Sequence, residues 1–562
     1  MRKISAISAV CILMLSGCLS EDSRSYLTEE QAFTNSQNLY INSVAFLYGY
    51  IGGSSESQGL QGTCRGVYDY NTMTTDEALI PIRGGDWYDG GLWENMYQHK
   101  WTEDDATLYQ TWKYLYKMVM LCNQSLSDLE KYAHLATVEE IGQWTAEVRA
   151  MRALFYFYIM DMFGRVPVVT EVDIPVSEVV QSERSEVMRF VYDEMTAVLP
   201  YLANQRSNHI GRYYGRITKP VAWFLLAKLA LNAEVYADDD WTDGIRPDGK
   251  DITFEVDGIE MNAWETCIEY CDKLHAFGYV LEPVYPDNFL VRNENSLENI
   301  FTIPLDNDLY RNQFWYLFRS RHYSHGGALG GASENGTCAT LHTMNVYGYG
   351  TEEVDARFIY NFYAGEVFVD GNQVLLHTGE PLVYMPMEVK LNLTASPYEK
   401  TAGARMAKYE VDRKSYSDGR QPDNDIVLFR YADALLMKAE AQVRNGEDGN
   451  EAFNQVRSRV EMPQKEATLE NIIDERLLEL VWEGWRRNDM IRFGYFHENE
   501  EKGNRKYFSA GVGFRMKVFE INAAYLFAAG SNAHCPLDNT LRFSLGFNFA
   551  GMKKMVDNSV EE

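Results

Sequence analysis

Apolar residues recur at three- and four-residue steps through most of this chain, and that period predicts helices. Thr28 followed by Gln31 has the form of a capping box and opens a first helix that continues through Leu39, Val44 and Leu47. Further helices are expected over 107–130, 141–163, 185–199, 220–236 and 264–277. Arg165-Val166-Pro167 ends the 141–163 stretch, because proline cannot supply the amide hydrogen a helix needs. The stripes mix small Ala and Gly with large Tyr and Leu, which suits stacked helical hairpins of a TPR-like kind without a strict repeat period. Helices are expected again over 426–444, 451–460 and 469–493. Val427, Tyr431, Ala434 and Leu435 share a stripe in the first of these, and Asn445-Gly446 provides its stop. Between 278 and 424 the helical period is lost to short strands and Gly-rich loops. The expected fold class is therefore mainly α, with helical hairpins as scaffold and a large irregular insertion.

The helix over 469–493 places Glu475, Glu479 and Glu483 at successive four-residue steps, beside Arg476, Arg486 and Arg487. Like charges in such a row repel. Arginines of a neighbouring helix, such as Arg457 and Arg459, would neutralise it, so a structural charge network is favoured over a catalytic carboxylate pair. The formal net charge of -29 argues against nucleic acid as a partner, since phosphate contacts need clustered Lys and Arg. Aromatic residues make up 13% of the chain, which suits sugar stacking as well as core packing.

The N-terminus reads as a signal. Arg2-Lys3 precede an apolar run from Ile4 to Leu15, and Leu15-Ser16-Gly17-Cys18 has the form of a bacterial lipobox. Residues 1–17 are then a signal peptide, Cys18 the lipidated residue, and 18–26 a tether. Ser20-Glu21-Asp22 behind the cysteine resembles a surface-export signal. Cys64, Cys122, Cys267, Cys271, Cys338 and Cys535 are scattered, with no metal-ligand spacing. No nucleotide, metal-protease or serine-hydrolase motif occurs, so neither a catalytic residue nor a cofactor is assigned.

Two loop regions carry candidate ligand contacts. In 83–95, glycines and acids frame Arg83, Asp86, Trp87, Tyr88, Trp93 and Asn95. In the insertion, Trp315, Tyr316, Arg319 and Tyr323 form a second group. Aromatic faces stack on sugar rings while Arg, Asp and Asn bond hydroxyls; each of these residues could equally pin its loop to the core.

RYADALLMKAEAQVRNG, FNQVRSRV and IIDERLLELVWEGWRRNDMIRFG closely resemble the C-terminal signature of the SusD/RagB family of Bacteroidetes lipoproteins. TTDEA with the loop after it, RALFYFYIMDMFGRVPVV and GRITKPVAWFLLAKLALNAEVY resemble it too. The resemblance implies a glycan-binding surface protein of the outer membrane that serves as lid to a SusC-like TonB-dependent transporter and delivers oligosaccharide to it. It divides the chain into a helical region over 27–277, a ligand-binding insertion over 278–424 and a C-terminal helical region over 425–505. The alternatives are a glycoside hydrolase using an Asp/Glu pair, and a helical-repeat interaction protein without a small ligand. The tail over 506–562 departs from the family. It reads as strands over 514–527 and 540–549, where Phe543, Leu545, Phe547 and Phe549 alternate with Ser544, Gly546 and Asn548. That alternation resembles the last hairpin of an outer-membrane barrel, and a foreign segment joined near Lys506 is the expectation.

Overall fold

The computed structural model describes residues 29–240, 245–309, 312–415, 420–497, 506–515, 519–528 and 540–547. The expected signal peptide, tether and Cys18 lie outside the described residues.

The helical periodicity is realised as packed antiparallel pairs. Helix α1 (Ala106–Lys131) starts where the Asp105 carboxylate accepts hydrogen bonds from the amides of Thr107 and Leu108. It packs on α2 (Val138–Phe163), which begins at a reciprocal capping box between Thr137 and Glu140. That cap starts α2 a few residues earlier than its apolar stripe suggests. Helix α3 (Arg184–Val198) covers the other flank of α2. Helices α4 (Lys219–Leu231) and α5 (Ala263–Phe277) form the next pair, and α6 (Tyr431–Asn445) lies against both. Helix α4 is apolar almost all round, and it is buried almost all round. The opening helix differs from expectation. Glu29–Ala32 is a single turn, and the helix proper starts at Ser36, capped by the Asn35 side chain.

The C-terminal stretch departs from the sequence reading in two places. Residues 426–430 are not helical. They form strand β2 (Ile426–Arg430), paired antiparallel with β1 (Asn299–Ile303) and buried along its whole length. The run Ile-Val-Leu-Phe is continuous rather than periodic, and β-branched residues fit a strand buried on both faces. After α7 (Asn450–Arg459), the expected 469–493 helix is two pieces, α8 (Leu469–Leu480) and α9 (Arg486–Arg492). Trp482 and Gly484 between them have φ of 69° and 76°. The freed backbone groups find side chains: the Trp482 amide donates to Glu77, and Lys408 donates to the carbonyls of Glu479 and Val481.

This break lets the glutamate row meet its cations. Glu479 accepts from Arg357, Arg430 and Arg459 at 2.8, 2.5 and 2.5 Å. Glu475 pairs with Arg357 and Arg457, and Glu483 with Arg430 and Lys408. Glu298, just before β1, adds a further carboxylate to Arg430 and Arg459. A second chain of pairs runs Lys228, Asp433, Arg476, Asp489, Arg492 and Glu440, tying α4, α6, α8 and α9 together. All of these groups are buried. The row is a structural network, as its spacing suggested.

The insertion over 278–424 consists of short helices, two-stranded ribbons and loops, and most of its aromatic residues are buried. After α9 come β3 (Tyr495–His497), β4 (Lys506–Arg515), β5 (Phe519–Ala528) and β6 (Thr540–Phe547), an antiparallel sheet in sequential order. The expected 514–527 strand is divided between two strands: Phe514 and Arg515 end β4, and β5 begins at Phe519.

Removing one partner of a buried ion pair leaves an uncompensated charge, costing about 3–5 kcal/mol. Glu479→Ala strands parts of three guanidinium groups. Urea denaturation is expected to show a loss in that range, against less than about 1 kcal/mol for Glu56→Ala at its exposed pair with Arg65.

Candidate functional site

The two candidate loop regions, more than two hundred residues apart in sequence, meet at one open pocket of about 400 Å³. Asp86, Trp87 and Trp93 line it from one side, and Trp315, Arg319 and Tyr323 from the other. Backbone geometry at its rim is unusual. Arg65, Trp87 and Asp89 all have positive φ, between 43° and 64°, a conformation that residues other than glycine take mostly where surrounding contacts enforce it.

Those contacts are visible. The Trp87 indole donates to the Glu334 carbonyl at 3.0 Å. Its ring rests against Gly336, where a Cβ would come within 2.6 Å of it. Trp93 meets Trp87 edge-on at 6.0 Å and donates to Asp89 at 2.8 Å. Beneath Trp93 lies the Arg319 guanidinium, 5.2 Å from the ring centre, in a two-point pair with Asp69 at 2.9 and 2.6 Å. Burial pulls the Arg319 pKa down, but the Asp69 carboxylate outweighs it and the group is held firmly charged. Trp315 donates to the Glu334 carboxylate at 3.2 Å and carries Arg420 over its ring at 4.8 Å. Tyr323 is half-exposed and donates to Asp86 at 3.1 Å. Lys400 also bonds Asp86, at 2.9 Å, and holds that carboxyl below its ordinary range.

The remaining candidates are placed elsewhere. Arg83 is fully buried and donates to the carbonyls of Glu399, Gly336 and Ala402, so it ties the loop down from behind. Tyr316 is buried, stacks on Tyr68 at 3.7 Å and donates to Gln61. Trp93 and Arg319 border the pocket but are themselves buried, and they form its floor. Tyr88 is 58% exposed just outside the lining, and Asn95 is half-buried beside Gly91. Sequence reasoning missed Glu56, Arg65, Asp89 and Glu334 in the lining, and Lys400 next to Asp86. Arg65-Gly66 next to a cysteine gives no pattern that marks a site, and Glu334 and Lys400 are brought in by tertiary folding alone.

Behind the pocket, His322 and His325 are buried next to Arg83, Arg321 and Arg405. Burial first and these cations second push His322 down to about 4 and His325 down to about 3.

The sequence and the overall fold find counterparts among known proteins. Residues 383–525 match the SusD family, and residues 62–231 match a family described as starch-binding, associating with the outer membrane. The chain is 23% identical to the starch-binding protein SusD of Bacteroides thetaiotaomicron over 479 residues, covering 79% of this chain and 80% of that protein. A SusD-like protein of Bacteroides ovatus is 25% identical over 454 residues, covering 76% of this chain and 73% of that one. A SusD-like carbohydrate binding protein of Bacteroides fragilis superposes with a TM-score of 0.64 at 19% identity, covering 85% of this chain and 90% of that one. Surface glycan-binding protein A of Bacteroides thetaiotaomicron, solved with laminarihexaose, gives 0.61 at 18%, covering 82% and 91%. The fold is that of the SusD-like proteins, and the chain is similar to the SusD family over residues 62–231 and 383–525. The match to residue 525 runs past residue 505, where the sequence resemblance was expected to stop, and takes in β4 and the first part of β5.

A group whose folded pKa is lowered from 6.5 to about 3 contributes stability above pH 6.5 that is lost as pH falls. For His325 the loss between pH 7 and pH 5 is about 2 kcal/mol. His325→Gln is expected to be less stable at neutral pH, yet to lose less on going to pH 5, as read by urea midpoints.

Proposed function

We infer that this protein binds oligosaccharide in the pocket where the 83–93 loop meets residues 315–334. The observation that carries the reading is the convergence of Trp87, Trp315 and Tyr323 on a pocket whose lining also holds Asp86, which Lys400 bonds, Glu334 and Arg65. Half-buried indoles fixed by their own N–H bonds offer flat apolar faces at low entropic cost, and the charged groups of the lining suit hydroxyls. SusD is a starch-binding protein and its structural relatives include a laminarin-binding one, which supports a neutral glucan as ligand class. Binding without turnover fits the carboxylates at the pocket. Glu56 and Asp89 are paired with Arg65, Glu334 accepts from Trp315, and Lys400 holds the Asp86 carboxyl below its ordinary range, so each of these carboxylates is already engaged.

In this reading Cys18 holds the protein to the outer membrane through lipid, and the helical pairs form the platform that docks a SusC-like TonB-dependent transporter, with the protein as its lid. Support comes from the lipobox-like sequence and from the family description of outer-membrane association. The division into a helical platform, the ligand-binding insertion over 278–424 and the 425–505 helical region belongs to the same reading.

Isothermal titration of the protein without its signal peptide, against maltooligosaccharides and laminarin oligosaccharides, tests the site. Trp87→Ala and Trp315→Ala are each expected to weaken binding about tenfold or more, which corresponds to about 1.4 kcal/mol. Tyr88→Ala is expected to change it little. Unchanged affinity in both tryptophan variants, or new reducing ends released from the glycan, would overturn the reading.

A further inference from the structure

Arg83, Arg321 and Arg405 are buried and have no carboxylate partner among the described residues. This sets them apart from Arg319, Arg357, Arg430, Arg457, Arg476 and Arg492, which are equally buried and all ion-paired. Arg83 and Arg405 spend both of their Nη groups on backbone carbonyls and leave only Nε without an acceptor. Arg321 does not. It is 4% exposed, and its Nε and Nη1 are sealed from solvent with no hydrogen-bond acceptor.

The Arg321 side chain lines a small cavity of about 20 Å³, walled by the turn from Gly326 to Ala332 and by Val411, Asp412 and Arg413. A cavity of roughly 10–15 Å³ on this measure already holds one water-sized sphere. The neighbouring Ser333 hydroxyl also lacks a partner and packs on Gly326, where a Cβ would come within 2.2 Å of it. Among the charged groups facing the cavity, Arg413 is engaged with Asp370 at 2.6 Å. Asp412 accepts from the amides of Lys414 and Asp423 at 2.8 and 3.0 Å and makes no ion pair with Arg321. His325, just before this turn, is pushed toward its neutral form by burial and by Arg321, so it adds no second positive charge there.

A buried charge without a partner is costly, and sealed guanidinium donors without acceptors add to that cost. We propose that this cavity is a binding site for a small monovalent anion of the chloride class, held by Arg321 Nε–H and Nη1–H against the 326–332 turn. Its consequence reaches the ligand pocket. Arg321 lies between Arg319 and Tyr323, so an anion on its side chain fixes from behind the segment that presents both residues to the pocket. The site does not rest on the glycan reading.

The test uses the signal-peptide-free protein. Crystals are soaked in sodium bromide and measured at the bromine absorption edge. In parallel, melting temperatures are compared in sodium bromide or chloride and in sodium gluconate at equal ionic strength, for wild type and Arg321→Met. The expected result is an anomalous peak in the cavity beside Arg321, with a halide-specific rise in melting temperature that the variant loses. Water alone in the cavity would overturn the proposal. So would a halide effect that persists in Arg321→Met, or a bromide peak without any halide effect in solution, which is binding at crystal concentration only. If the variant does not fold, the wild-type peak and the wild-type halide effect together decide.

Discussion

The buried contact between Glu479 and its three arginines is the constraint on which the rest of this structure depends. Arg357 comes from the insertion, Arg430 from the end of β2, and Arg459 from α7, so one carboxylate joins three separate parts of the chain. Burying four charges costs several kcal/mol per ion, and their attraction repays it only when each hydrogen-bonding position is filled. That demand explains the break after α8. A continuous helix would carry Glu483 onward; the turn at Trp482 and Gly484 instead brings it to Arg430 and Lys408. Burial alone would push the Glu479 carboxyl up, but Arg459, Arg430 and Arg357 outweigh it and hold it well below the usual range. Glu479 therefore stays ionised through the neutral range.

A rigid base of this kind permits an irregular top. The insertion has few long elements of its own, and its ribbons are two residues long in most cases. It is held by contacts such as Arg319 with Asp69 and Arg83 with three carbonyls, which clamp loops where a sheet or helix would otherwise define them. The same clamps impose positive φ on Trp87 and Asp89 and fix the indoles at the pocket rim. Strain at the rim and order beneath it are two sides of one arrangement.

Much of this could be read from the chain alone. Helices with a clean apolar stripe and a capping box, such as α2 and α5, are written locally and were found within a few residues. The charge row at 475, 479 and 483 announced a network because like charges at that spacing need partners. What escaped was non-local. The strand character of 426–430 depends on β1, more than a hundred residues earlier, and the break at 481–485 depends on Glu77 and Lys408. The site followed the same rule. Trp87 and Trp315 were legible as aromatic residues among glycines and acids. Their meeting was not, nor was the burial of Arg83 and Tyr316, since both have the same composition cues as true pocket residues.

The claim that ligand engages the loops while the charge network serves as base is tested most directly by hydrogen–deuterium exchange with a bound glucan oligosaccharide. The account predicts slowed exchange over 84–91 and 315–334, with no change over 431–492, whose amides are already protected by burial. Protection that appears over 431–492, or on the α1–α3 surface, and leaves both loops unchanged would contradict it.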